Sequence, residues 1–200
     1  MSTKTYGSLI MQTPVLNTGQ GDFTLVDDAK QKNFPLGGIY IYADSSGRPR
    51  IIKYVEWNPS TTPAYYQGAP VYYTDQTRTI VSPIVADAAT YLVASCSTLF
   101  SFAGITMGAT IPAAAGDFIF IQSGGFSDKI LMPASTVAGD ILVLSNVAAN
   151  LPTINVFIRV AAGTDLGIVK AAFACVFVTT IAAVGGGLGS GWIQSPLMPI

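Results

Sequence analysis

The chain has 200 residues, half of them apolar, with 10 basic and 11 acidic side chains and a net charge of −1. Charged residues make up 10% of the chain, against about a quarter in an average soluble protein. The near-zero net charge, without a basic run, argues against nucleic-acid binding. The absence of His removes the commonest general base and metal ligand. Such a composition is typical either of a subunit covered by neighbours or of a monomer with a large core.

Many short apolar runs, separated by 20 Gly and 12 Pro, predict an all-β protein. The N-terminus lacks the basic start and apolar segment of a signal peptide, which argues against export. Residues 171–189 are uncharged over a length that would span a bilayer. They contain four glycines and alternating β-branched residues, as do strands buried on both faces, so we predict strands and no membrane contact.

Residues 1–37 are predicted to form an extended N-terminal arm. Turn-forming residues at 13–14, 17–21 and 27–28 interrupt its short apolar pieces. Two interpretations stay open for this arm. It lies across a neighbouring subunit, or it packs along its own domain.

Residues 38–63 predict a β-hairpin followed by a linker. Two apolar runs, 39–42 and 51–57, flank the sequence Asp-Ser-Ser-Gly at 44–47, and the linker is the polar segment 58–63. Arg48 and Arg50 lie on or beside this hairpin and would either grip an acidic partner or protect an exposed edge, and the pattern favours protection.

Residues 64–200 predict a β-rich body, and its two parts resemble each other. Three matches, at offsets of 71 or 72 residues, relate 68 and 71–73 to 139 and 142–144, 102–103 to 173–174, and 121–123 to 193–195. The body is therefore a candidate internal duplication, about 64–125 and 130–200, although common residue types also match by chance. The pair Gly124–Gly125 is predicted to end the last strand of the first unit.

No catalytic or cofactor-binding pattern is present. The run Gly-Gly-Gly-Leu-Gly-Ser-Gly at 185–191 lacks the Lys-Ser or Lys-Thr of a phosphate-binding loop, and no GxSxG occurs. The two Cys are far apart and form no metal-binding pair. We therefore expect no enzyme, no cofactor and no metal site.

Three segments carry a resemblance to a known family. They are 102–109 (FAGITMGA), 115–125 (AGDFIFIQSGG) and 138–145 (AGDILVLS). Together they resemble the head decoration, or cement, proteins of tailed bacteriophages, and the resemblance extends over roughly residues 65–196. It implies an all-β fold, either a jelly-roll-like β-sandwich or a small β-barrel.

The same resemblance implies a structural virion protein, made in the host cytoplasm and bound to the outer surface of the capsid. Its partners would be the major capsid protein and further copies of itself, as a trimer or dimer. Aromatic and Arg side chains are enriched at interfaces, so the candidate contacts are Tyr40, Tyr42, Arg48, Arg50, Tyr54, Trp57, Tyr65, Tyr66, Tyr72 and Tyr73. Two alternatives are a receptor-binding or fibre-type virion protein and, less favoured, a membrane-inserting protein.

Overall fold

Apolar and β-branched runs form eleven strands in the part of the chain that the structure describes. The computed structural model describes residues 26–27, 32–44, 46–61, 67–84, 87, 102–108, 114–144, 157–160, 175–180 and 187–194. The strands are β1 Val26–Asp27, β2 Ile39–Ala43, β3 Pro49–Trp57, β4 Pro70–Tyr73, β5 Ile80–Ser82, β6 Phe102–Thr106, β7 Asp117–Met132, β8 Ile141–Leu144, β9 Phe157–Val160, β10 Cys175–Thr180 and β11 Gly187–Gln194. The all-β prediction is confirmed, and so is the β2–β3 hairpin.

Five strands close into a small barrel in the order β3-β5-β4-β6-β7. The ring is completed because β3 pairs with β5 on one side, in parallel, and with β7 on the other, antiparallel. Of the two predicted architectures, the small barrel is therefore the one observed. The side chains that share the cluster inside it are Val55, Trp57, Val71, Tyr73, Val81, Ala103, Ile119 and Ile121.

Strand β7 is 16 residues long and connects the barrel to strands β8 to β11, which continue the same hydrogen-bonded sheet and are here called the second sheet. Its first half, up to Gly125, pairs with β3, and its second half pairs with β11. The prediction that Gly124–Gly125 ends this strand is wrong. Gly125 has a φ of 80°, which glycine adopts without strain, so the pair bends the strand and lets it continue into the second sheet.

The second sheet continues from β7 in the order β7-β11-β10-β8-β9. Its inner face packs on the outer wall of the barrel, and the two surfaces share one buried cluster. Its members come from both units: Tyr72, Phe102 and Ile105 from the barrel, and Ile130, Met132, Leu142, Phe157 and Ile193 from the second sheet. This shared core joins the two units.

The two units repeat one pairing order. The first runs β5-β4-β6-β7 and the second β9-β8-β10-β11, both antiparallel throughout. The register differs by one residue, since Val71 opposite Gly104 corresponds, at the offset of 71, to Leu142 and Cys175, whereas Leu142 lies opposite Val176. What the two units share is therefore their pairing order. This is the pattern that a duplication implies, and the duplication stays a prediction.

Residues 32–37 pack on the outer face of strands β2, β3 and β7. The Phe34 ring lies 4.9 Å from the ring of Phe120 and 5.3 Å from that of Tyr54, centroid to centroid. Further back, β1 pairs with β7. The described end of the predicted arm thus lies along its own domain, while residues 1–25 are outside the described residues.

Candidate functional site

Most of the tyrosine and tryptophan candidates belong to the core. Tyr40, Tyr54, Trp57, Tyr72 and Tyr73 are all buried. Their rings fill the barrel, its outer wall or the face covered by Phe34, so they are not offered to a partner that docks on the folded chain. The reason is that strands β3 and β4 bury both faces, whereas a sequence pattern identifies an aromatic residue without showing which face remains open.

The remaining candidates divide into two groups. Tyr42 lies on β2 opposite Arg50 in the ladder. Tyr65 and Tyr66 lie outside the described residues. Arg48 and Arg50 follow the hairpin turn, and they are the candidates that the structure places at the surface of the molecule.

The hairpin turn is built around the carboxylate of Asp44. Its Oδ1 accepts hydrogen bonds from the backbone N–H of Ser46, at 2.8 Å, and of Arg48, at 3.0 Å. Its Oδ2 accepts one from the Arg48 Nε at 2.8 Å. Desolvation disfavours the charged carboxylate, but these N–H donors and the nearby guanidinium outweigh it and lower the pKa of Asp44 from 3.8 to about 2. Asp44 therefore holds Arg48 in one orientation at neutral pH.

Arg48 is stacked on an aromatic side chain of the second sheet. Its guanidinium carbon lies 3.5 Å from the centroid of the Phe126 ring, a short cation–π distance. Phe126 in turn contacts Trp192 edge to face, with 5.7 Å between centroids. Trp192 is directly opposite Phe126 in the β7–β11 ladder and remains 39% exposed.

Arg50 connects the hairpin turn to β7. Its Nη2 lies 3.2 Å from Oδ1 of Asp128 and 3.6 Å from Oδ2 of Asp44. The side chain is 15% exposed, and its Nε is buried without a hydrogen-bond partner among the described residues. A buried donor without a partner costs free energy in a folded protein.

The bend in β7 brings these residues together. A Cβ added at Gly125 would overlap the backbone carbonyl oxygen of Pro49, so the hairpin and β7 approach more closely than any other residue at this position would allow. The result is one contiguous cluster of side chains, here called the arginine–aromatic patch, which consists of Asp44, Arg48, Arg50, Phe126, Asp128 and Trp192. Arg48, Asp128 and Trp192 are its exposed members, and Phe126 is buried beneath them.

The charged groups of the patch neutralise one another. Its two arginines and two aspartates are paired, and the one resolved pKa shift, that of Asp44, favours the permanently charged form. No group of three potential metal ligands occurs among the described residues. Trp and Arg are the residues most enriched at the energetic centres of protein interfaces. The patch therefore combines an exposed Trp with charged groups whose net charge is zero, a composition that resembles the centre of an interface.

Sequence reasoning missed four members of this patch, namely Asp44, Phe126, Asp128 and Trp192. Arg50 and Asp128 are 78 residues apart, and their contact depends on the β7 bend. One feature of the sequence indicates the patch, namely Trp192. It is a large aromatic residue directly after Gly-Ser-Gly in a strand, where its small neighbours leave it exposed.

Comparison with models of protein families, with curated proteins and with solved structures finds no match to this chain. Within the described ranges, no helix is long and apolar enough to cross a bilayer.

Proposed function

We propose that the chain is a structural virion protein that binds the outer surface of a phage capsid and stabilises it by bridging major capsid subunits. The observation that carries the proposal is the arginine–aromatic patch, where the exposed Trp192 contacts the ring of Phe126 and the guanidinium of Arg48 lies over the same ring. The sequence resemblance to head decoration proteins and the low charge of the chain support the same function.

In this proposal, the side chains of the patch provide the affinity for the capsid. Its aromatic and guanidinium groups are held in place before contact, so little side-chain entropy is lost when a partner covers them. Two positive and two negative side chains cancel, so Coulomb attraction contributes little to the affinity. Many symmetry-related copies on a shell add small interface energies, and binding to the assembled shell stabilises it by mass action.

The first test is stability of the particle. Virions of the phage that encodes the chain, stripped of this protein, should release DNA at a lower temperature than intact virions, and adding the purified protein back should restore the original temperature. DNA release followed with a fluorescent dye during heating measures this. Equal release temperatures with and without the protein would refute the cementing role.

The second test locates the contact. Trp192→Ala and Arg48→Ala should each weaken binding to stripped capsids about tenfold or more, since truncating a central Trp or Arg of an interface costs about 2 kcal/mol. Val137→Ala is the matched control, because Val137 is equally exposed but lies on the turn before β8. If all three variants bind as the wild type does, the capsid contact lies elsewhere on the molecule. Binding of the wild type should persist at high salt.

One observation also favours the alternative of a receptor-binding virion protein. An exposed tryptophan beside fixed charged groups offers a ligand both an apolar face and hydrogen-bonding partners for orientation. Under this alternative, the isolated protein should bind members of a glycan array, and Trp192→Ala should abolish the signal. If the protein binds no glycan on the array but binds capsids, the receptor-binding alternative is excluded and only the cementing role remains.

A further inference from the structure

Strand β2 is at one end of the sheet order, and its outer edge is bare in the part of the chain that the structure describes. On its inner side it pairs with β3 along all five residues. A bare edge presents backbone N–H and C=O groups that can pair with another strand.

The backbone of β2 points its free groups outward at alternate residues. The carbonyl of Gly38 accepts a hydrogen bond from the N–H of Tyr54 on β3. Because the direction alternates along an antiparallel strand, the N–H and C=O groups of Ile39, Ile41 and Ala43 point away from β3. Ile41 is the middle of these three.

The side chains of β2 do not protect this edge. Natural edge strands usually carry Lys, Pro or another charge that prevents pairing, whereas β2 has the sequence Ile-Tyr-Ile-Tyr-Ala. Ile39 and Ile41 are 41% and 44% exposed, while Tyr40 between them is buried on the opposite face. The strand therefore combines a bare edge with an exposed apolar row.

We propose that β2 pairs antiparallel with β2 of a second copy of this chain, about a two-fold axis at Ile41. In that register Ile41 lies opposite Ile41 of the partner subunit, and Ile39 lies opposite Ala43 of the partner subunit. Each of these pairs exchanges both N–H···O=C bonds, since all three residues point outward. The sequence is self-complementary here because no two like charges meet and β-branched side chains face each other at the centre.

This dimer is weak in solution. A five-residue edge buries a small area compared with a stable interface, so the dissociation constant is on the order of 10–1,000 μM. A closed two-fold pairing ends after two copies, because each copy contributes its β2 edge and neither β2 edge is left unpaired. The proposal concerns the isolated protein and does not rest on the capsid role.

The test uses opposite charges at the two-fold axis. Ile41→Lys and Ile41→Glu each place two like charges opposite each other, so each variant alone should raise the dissociation constant about tenfold or more in sedimentation velocity at low salt. An equimolar mixture of the two variants places Lys opposite Glu and should restore a dimer. Only a register in which residue 41 faces residue 41 of the partner predicts this restoration.

Ile39→Lys is the matched control, since in the same register it faces Ala43 of the partner subunit and opposes no like charge. It should weaken the dimer less than Ile41→Lys does. Circular dichroism of each variant confirms that the fold is retained, as expected for substitutions at half-exposed positions. A wild-type chain that stays monomeric at millimolar concentration, or a mixture that does not dimerise, would overturn the proposal.

Discussion

Two adjacent tyrosines on β4 differ in what their hydroxyl groups contact. Tyr72 points out of the barrel into the core shared with the second sheet, and its hydroxyl has no hydrogen-bond partner among the described residues. Tyr73 points into the barrel, and its hydroxyl accepts a hydrogen bond from Lys53 Nζ at 3.0 Å. Burial raises the pKa of both hydroxyls, and they stay protonated in the fold.

Removing the two hydroxyls should therefore have opposite effects. Tyr72→Phe deletes an unpaired buried polar group and should raise the free energy of unfolding by about 1 kcal/mol. Tyr73→Phe removes an acceptor from the half-buried Lys53, leaving its ammonium with the Arg78 carbonyl, and should lower it by about 1 kcal/mol. Urea denaturation of both variants beside the wild type measures the difference. Equal effects of the two substitutions would show that the hydroxyl contacts are not as described.

At the scale of the element, the bend in β7 depends on one glycine. Gly125→Ala should lower the free energy of unfolding by about 3 kcal/mol or more, because the methyl group meets the Pro49 carbonyl and the positive φ is strained. Gly47→Ala is the control, since Gly47 has nearly the same φ but open space around it, and should cost about 1 kcal/mol. Thermal or urea unfolding separates the two. A loss at Gly125 no larger than that at Gly47 would mean that backbone contact does not hold the bend.

The ionised carboxylate of Asp44 makes the stability of the hairpin turn depend on pH. The pKa of its carboxyl is about 2 in the fold, below its ordinary 3.8, so its contribution to stability is complete above about pH 4 and is lost as the pH falls from 4 towards 2. Asp44→Asn should be less stable than the wild type at pH 6, and the difference should shrink towards pH 2. Urea denaturation across this range measures it. A difference independent of pH would exclude the ionised carboxylate as its source.

The elements differ in how well the sequence predicts them. The β2–β3 hairpin is readable because its strands are adjacent and its turn residues, Asp44 to Gly47, have a local conformational reason to be there. The path of β7 cannot be predicted from the sequence, because the pair Gly124–Gly125 has the same local signature whether a strand ends or bends there. Whether the strand ends or bends depends on the close approach of Pro49, which lies 76 positions earlier in the chain.

The residues of the candidate site also differ in whether the sequence alone identifies them. Arg48 and Arg50 are visible in the sequence as charged residues of a hairpin. Their partners Phe126 and Asp128 become neighbours only through the β3–β7 ladder, which no local pattern encodes. The clustered tyrosines were equally visible, but their burial depends on which sheet faces are covered, and this is a property of the whole fold.

At the scale of the whole molecule, the barrel and the second sheet share β7 and one core cluster. We therefore expect them to unfold together. The chain has two tryptophans, Trp57 inside the barrel and Trp192 on the second sheet, so each unit has its own fluorescent reporter. In Trp57→Phe and in Trp192→Phe, the fluorescence midpoint should coincide with that of far-ultraviolet circular dichroism. A second sheet that melts at lower urea, seen through Trp192, would contradict this.

The same shared strand determines how the protein bears mechanical load. Strand β7 holds β3 along one half and β11 along the other, and antiparallel hydrogen bonds lie perpendicular to the strand axis. A force that draws β3 and β11 apart along this axis therefore shears both ladders at once, instead of peeling bonds off one at a time. The resistance of the molecule to a sustained pull is then governed by its unfolding rate, which the height of the unfolding barrier sets, more than by its equilibrium stability.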